Sequence, residues 1–173
     1  MELIKCDKTH SEKLTELYHR TIRYLEENIN YPKWSEEHPS DCNIQAAIIS
    51  GTQYACMDKE KILGAVVLST DPEGFYEAGN WSRELKDGEC LFVHALAVDP
   101  LFAHNGIGVF MVEQCIKTAR QGGYKALRLD VVPGNIPAES LYRKMGFVFA
   151  GTKDLKRNID DIPVFDLYEL DLI

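Results

Sequence analysis

Two glycines, Gly106 and Gly108, follow an apolar run and open a stretch of helical spacing that continues to about Gln121. Glycine at these points removes side chains that would hold a ligand off the backbone. The freed N–H groups at the positive end of a helix dipole suit a phosphate or pyrophosphate. Taken alone, Gly-x-Gly reads equally well as a tight strand-to-helix turn. No Gly-Lys-Ser/Thr follows, as a nucleotide-hydrolase phosphate loop would require, and no first-strand Gly-x-Gly-x-x-Gly marks a dinucleotide fold. Upstream, His94 is the only ionisable side chain in the run Leu91–Val98. A buried, neutral imidazole there could accept a proton directly or through water, and a core histidine with one backbone partner is the alternative. His10, His19, His38, His94 and His104 fall in no metal-binding spacing with one another or with cysteine, so no metal site is expected.

The elements that must position these residues follow from spacing. Glu2–Cys6 predicts a short strand. Thr9-x-x-Glu12 fits a capping box before a helix with apolar positions at Leu14, Leu17, Tyr18, Ile22, Leu25 and Ile29. Asn30–Ser40, with two prolines, is a loop, and Asp41–Ser50 a second helix ended by Gly51. Gln53–Met57 and Lys61–Leu68 predict a hairpin about Asp58-Lys59. Asp71–Asp87 is a long loop, a kind that is uncommon in compact domains and often functional. Leu91–Val98 is apolar on both alternating faces, as a central strand should be. Tyr124–Val132, Phe147–Gly151 and Pro163–Leu172 predict further strands, with a helix over Asn135–Met145. The order β-α-α-β-β-β-α-β-α-β-β is an α/β layer architecture with a mixed sheet of about seven strands flanked by helices.

With 173 residues, 45% apolar and 27% charged, the chain predicts a single domain over 1–173 with a sizeable core. Its 19 Lys+Arg against 27 Asp+Glu give a net charge of −8, which argues against a nucleic-acid coat and favours small-molecule or cationic partners. Five widely spaced cysteines without a Cys-x-x-Cys pair read as free thiols in a reducing compartment. The N-terminal residues lack a signal-peptide layout, and no apolar run approaches the ~20 residues of a membrane helix. A cytoplasmic protein without membrane association is expected.

Four segments occur in order: His-Ala-Leu-Ala-Val-Asp-Pro at 94–100, Asn-Gly-Ile-Gly at 105–108, Leu-Arg-Leu-Asp-Val at 127–131, and Asn135-x-x-Ala138-x-x-Leu141-Tyr142-x-x-x-Gly146-Phe147. Together they resemble the GNAT superfamily of acetyl-CoA-dependent N-acetyltransferases, most strongly over Cys90–Gly151. The resemblance implies a GNAT-like fold with two splayed central strands forming the CoA site, acetyl-CoA as cosubstrate, and a primary amine of a small molecule or peptide as acceptor. It also implies direct attack in a ternary complex, with no covalent acyl-enzyme, and the possibility of a homodimer. An acetyl-CoA-binding regulatory domain without turnover is the alternative.

Residue by residue, the resemblance assigns the pantetheine arm to the backbone of Leu96, Ala97 and Val98, with the Leu96 amide near the thioester carbonyl. The pyrophosphate loop falls on His104, Asn105, Gly106, Ile107, Gly108 and Val109. Asn135 matches the family's asparagine on the pantetheine side. Tyr142 matches its usual general acid, and a ring packed beneath the sheet is the other reading. Two positions depart from the family pattern. Ala103 stands where Arg or Gln is usual, which predicts weaker cofactor affinity, with His104 able to supply part of the lost donor capacity. Phe92 stands where a strand glutamate is frequent. His94 then becomes the candidate base, on the same strand face as Leu96 if alternation holds. The acidic stretch Glu26, Glu27, Glu36, Glu37 and Asp41 around Trp34 is either a solvated surface or a lining for a cationic acceptor.

Overall fold

In the computed structural model, which describes every residue from Met1 to Ile173, β1 (Glu2–Lys5) is followed by a 3-10 turn over Lys8–His10. Asp7 caps that turn by accepting from the Thr9 amide at 2.8 Å, so the capping box is Asp7-x-x-His10. Thr9 lies inside the turn and cannot cap, which moves the box upstream of the predicted Thr9-x-x-Glu12. Helix α1 (Ser11–Glu27) buries Leu14, Leu17, Tyr18, Thr21 and Ile22 on one stripe. It closes where the Asn28 side chain donates to the Tyr24 carbonyl, so Ile29 lies past its end and is exposed. Helix α2 (Asp41–Ser50) starts under a Ser40 cap and ends at left-handed Gly51, as expected.

Strands β2 (Gln53–Asp58) and β3 (Lys61–Ser69) form the hairpin, with Asp58 paired to Lys61, so the turn residues are Lys59-Glu60. Then come β4 (Cys90–Val98), α3 (Ile107–Gln121), β5 (Ala126–Val131), α4 (Ile136–Lys144), β6 (Val148–Lys153) and β7 (Phe165–Asp171). The sheet is mixed, seven-stranded and flanked by the four helices, in the order β1-β2-β3-β4-β5-β7-β6. β4 pairs in parallel with β5, joining Cys90–Val93 to Ala126–Leu129, while β1–β2, β2–β3, β5–β7 and β6–β7 are antiparallel.

The chain divides into two compact units, one of Met1–Leu68 with Ala95–Gln114 and one of Ser69–His94 with Cys115–Ile173. The first has a core of Leu14, Leu17, Tyr18, Ile44, Ile48, Ala55, Met57, Ile62, Ala65 and Ala97. Gly64 is required there. A Cβ on it would stand 2.5 Å from the Met111 sulfur and 2.7 Å from the Ala97 carbonyl, so its absence lets α3 and the end of β4 close on β3. The second unit has its own core of Tyr76, Cys90, Phe92, Ala126, Ala150, Leu155, Phe165 and Leu167. All five cysteines are free, and only Cys42 is exposed.

Candidate active site

In the first unit, β4 changes character at Ala95, whose φ of 48° is left-handed. A non-glycine residue holds that conformation only with support. The Tyr18 hydroxyl supplies it, donating to the Ala95 carbonyl at 2.9 Å from a fully buried ring. A left-handed residue interrupts regular strand alternation, so a common face for His94 and Leu96 no longer follows from alternation. Beyond Val98, Asp99 is completely buried and paired with Arg20 at 2.7 Å, while its other oxygen accepts from the Leu101 amide. This capped turn fixes the exit of the strand.

The stretch from His104 to Val109 then turns into α3. His104 and Gly106 both have positive φ, 64° and 74°, and His104, Asn105 and Gly106 are exposed. The Asn105 side chain folds back to donate to the Phe102 and Ala103 carbonyls. The first intrahelical bond runs from the Phe110 amide to the Gly106 carbonyl, so helix geometry leaves the amides of Ile107, Gly108 and Val109 without helical partners. Three convergent N–H groups at a dipole's positive end fit a pyrophosphate, and the exposed loop leaves room for one.

The second unit holds His94, Asn135 and Tyr142. Asn135 is the cap of α4, its side chain accepting from the Ala138 amide at 3.3 Å. Tyr142 is buried, with its ring edge on Phe147 at 5.5 Å. Burial pushes its phenol well above the ordinary range, and the nearby Cys115 and Asp130 push the same way. It therefore stays protonated throughout the neutral range. His94 is half-buried, not buried as expected, and its Nε2 lies 3.1 Å from the Asp71 carbonyl. Phe92 is buried in rings: Tyr76 meets it edge-on at 4.8 Å, and the His94 ring lies nearly parallel at 6.2 Å.

Tyr76 and Trp81, aromatic side chains that could line an acceptor pocket or pin a long loop, are tied into Asp71–Asp87, and charged side chains from β5 and the β6–β7 connection hold that segment with them. Arg157, from the β6–β7 connection, makes two bonds of 2.8 Å to the Asp130 carboxylate on β5. The Tyr76 hydroxyl donates to the same carboxylate at 2.5 Å. Desolvation pulls the Arg157 guanidinium down, but Asp130 outweighs it and holds it above its usual value. Beside this cluster, buried Arg128 pairs with Glu169 at 2.8 Å and covers the Trp81 ring at 4.2 Å. The signal was in Leu-Arg-Leu-Asp-Val, where two charges alternate inside a core strand and demand buried partners. Across the molecule, no group of three or more His, Cys, Asp or Glu comes together that could hold a metal ion. No helix is long and apolar enough to cross a membrane.

The architecture and ordered motifs define an acetyltransferase fold. The sequence matches the acetyltransferase (GNAT) family over residues 13–147, and the chain belongs to that family. It is 27% identical over 147 residues to the uncharacterized N-acetyltransferase YesJ of Bacillus subtilis, covering 82% of this chain and 78% of YesJ. Another curated relative, the uncharacterized N-acetyltransferase MJ1207 of Methanocaldococcus jannaschii, is 31% identical over 77 residues (44% of this chain), and the match spans only about a third of that protein (34%). Among solved structures, a GNAT-family acetyltransferase from Streptococcus agalactiae superposes with a TM-score of 0.81 at 14% identity, covering 99% of this chain and 95% of that one. The structure of yncA from Salmonella typhimurium, with its cofactor acetyl-CoA, gives 0.66 at 14% identity, covering 99% and 94%.

Proposed function

We propose that the protein transfers the acetyl group of acetyl-CoA to a primary amine of a small molecule or peptide by direct attack. Family membership supports acetyl transfer, and the partnerless first-turn amides of Ile107, Gly108 and Val109 support a pyrophosphate at the start of α3. When bound, acetyl-CoA supplies the activated acetyl group as a thioester. Leu96, Ala97 and Val98 offer backbone groups for the pantetheine arm, and Asn135 lies on that side of the assignment. Ala103 offers no side-chain donor, so affinity rests on backbone amides.

Tyr142, in the family's motif position for a general acid, supports turnover rather than binding alone, because a phenol is protonated at neutral pH and can donate. An amine acceptor of pKa about 10 is mostly ammonium at neutral pH and must lose a proton before attack. His94 takes that proton. The amine's electron pair forms the C–N bond as the C–S bond breaks, and the sulfur receives the Tyr142 proton. The surplus proton on nitrogen returns to the Tyr142 oxygen, and the His94 proton leaves to solvent. Free cysteines throughout the chain agree with a reducing, cytoplasmic setting.

Phe92 favours a second reading, an acetyl-CoA-binding module, because a buried ring replaces the carboxylate frequent at that position. A thiol-release assay over a panel of amines separates the two. Acetyl-CoA-dependent thiol release on at least one amine is expected. Thermal stabilisation by acetyl-CoA without release on any amine would establish the binding module instead.

A further inference from the structure

The His94 contact specifies which nitrogen can act. A carbonyl oxygen only accepts hydrogen bonds, so a contact of 3.1 Å between Nε2 and the Asp71 carbonyl requires the proton to sit on Nε2. In the neutral ring, Nδ1 then carries the lone pair. The carbonyl is itself held in place. The Asp71 carboxylate accepts from the Glu73 amide at 2.9 Å, and the Asp71 amide donates to the Ser69 hydroxyl at 2.9 Å. Pro72 restricts Asp71 to extended backbone. Two residues on, the Glu73 carbonyl accepts from Arg157 Nε at 2.5 Å, and Arg157 is anchored on half-buried Asp130. The ring plane is set from its other side by Phe92, which Tyr76 braces, with Trp81 stacked on Tyr76 at 5.8 Å.

We propose that His94 takes the acceptor's proton on Nδ1, and that Asp71 is the positioning residue whose carbonyl keeps Nε2 protonated and the ring fixed. The inference rests on His94 being the base of the proposed acetyl transfer. The proton moves from the ammonium nitrogen to Nδ1, giving an imidazolium whose Nε2–H still faces the Asp71 carbonyl. The proton then leaves Nδ1 for solvent, and the ring returns to its starting tautomer. Phe92 is thus a platform that replaces a carboxylate with ring packing, and the imidazole two residues later does the proton chemistry.

The test uses the full chain labelled with 15N-histidine, the His94 signals being assigned by their loss in His94→Gln. Long-range proton–nitrogen spectra of the neutral ring should show a protonated Nε2 and a bare Nδ1. Asp71→Ala removes the carboxylate that closes the turn, from an exposed position whose loss leaves the core intact. It should move both ring-nitrogen shifts toward tautomer-averaged values and lower kcat by about tenfold, a fraction of what acid–base catalysis contributes, with KM for acetyl-CoA unchanged. Asp71→Asn retains the accepting oxygen and should restore both readouts. A proton on Nδ1 in the wild type overturns the atom assignment. An Asp71→Ala protein with unchanged spectrum and kcat overturns the positioning role. Normal turnover by His94→Gln overturns the underlying base reading, whatever the spectrum shows.

Discussion

The two compact units carry the proposed functional groups on different materials. In the unit of Met1–Leu68 and Ala95–Gln114, the assigned groups are backbone: the peptides of Leu96–Val98 and the amides of Ile107–Val109. A neutral phenol bond to left-handed Ala95 and a capped turn flank them. In the unit of Ser69–His94 and Cys115–Ile173, the assigned groups are side chains, His94 and Tyr142, and a buried and a half-buried ion pair hold the surrounding loop. Backbone recognition depends on where side chains are missing, whereas proton transfer depends on which side chain is present and in what state. The first should therefore fail through bulk and the second through loss of single atoms.

Gly108→Glu should break the backbone half most completely. Its carboxylate would oppose a pyrophosphate by charge and its side chain by volume. Acetyl-CoA should no longer raise the thermal midpoint of a variant that remains folded. Stabilisation that survives would remove residues 104–109 from the cofactor site.

Tyr142→Phe keeps the ring on Phe147 and deletes one oxygen. Turnover should fall by ~10²–10⁴-fold with acetyl-CoA affinity unchanged, the usual worth of general acid catalysis. Burial raises the phenol, so its acid form persists to higher pH than an ordinary tyrosine near 10. The wild-type rate should accordingly show no alkaline decline from this group below about pH 10. A variant that keeps most of its turnover would make Tyr142 a packing residue.

This contrast also explains how much was readable beforehand. Element order, the hairpin, the Gly51 end of α2 and the motif-bearing segments were legible because they depend on local periodicity and turn chemistry. Ala95 was not. Nothing in Val93-His94-Ala95-Leu96 marks a left-handed residue, and the partner of its carbonyl, Tyr18, is far away in sequence. The Asp7 cap was hidden by a competing match two residues later. Asp71, Asp130 and Arg157 come from three separate segments, and only the fold brings their partners together. The candidate positions for His94 and Tyr142 were visible, but the carbonyl partner of His94 and the upward push of burial on the phenol are properties of surroundings.

The smallest effects should appear in stability, where the two kinds of support can be compared directly. Asp130→Asn leaves the Arg157 charge in a site where its side chain is 18% exposed, without a compensating carboxylate. Breaking such a pair costs about 3–5 kcal/mol when fully buried, and the residual solvent access places this one near about 3. Tyr18→Phe deletes one neutral donor to the Ala95 carbonyl, a loss of about 1–2 kcal/mol once the stranded carbonyl is counted. Urea unfolding midpoints at unchanged slope measure both. Asp130→Asn should be the larger by about 1–2 kcal/mol, since charge is harder to strand than a carbonyl. Equal costs would mean that the loop of the second unit is held mainly by Tyr76, Phe92 and Trp81, with the ion pair adding little beyond its own desolvation.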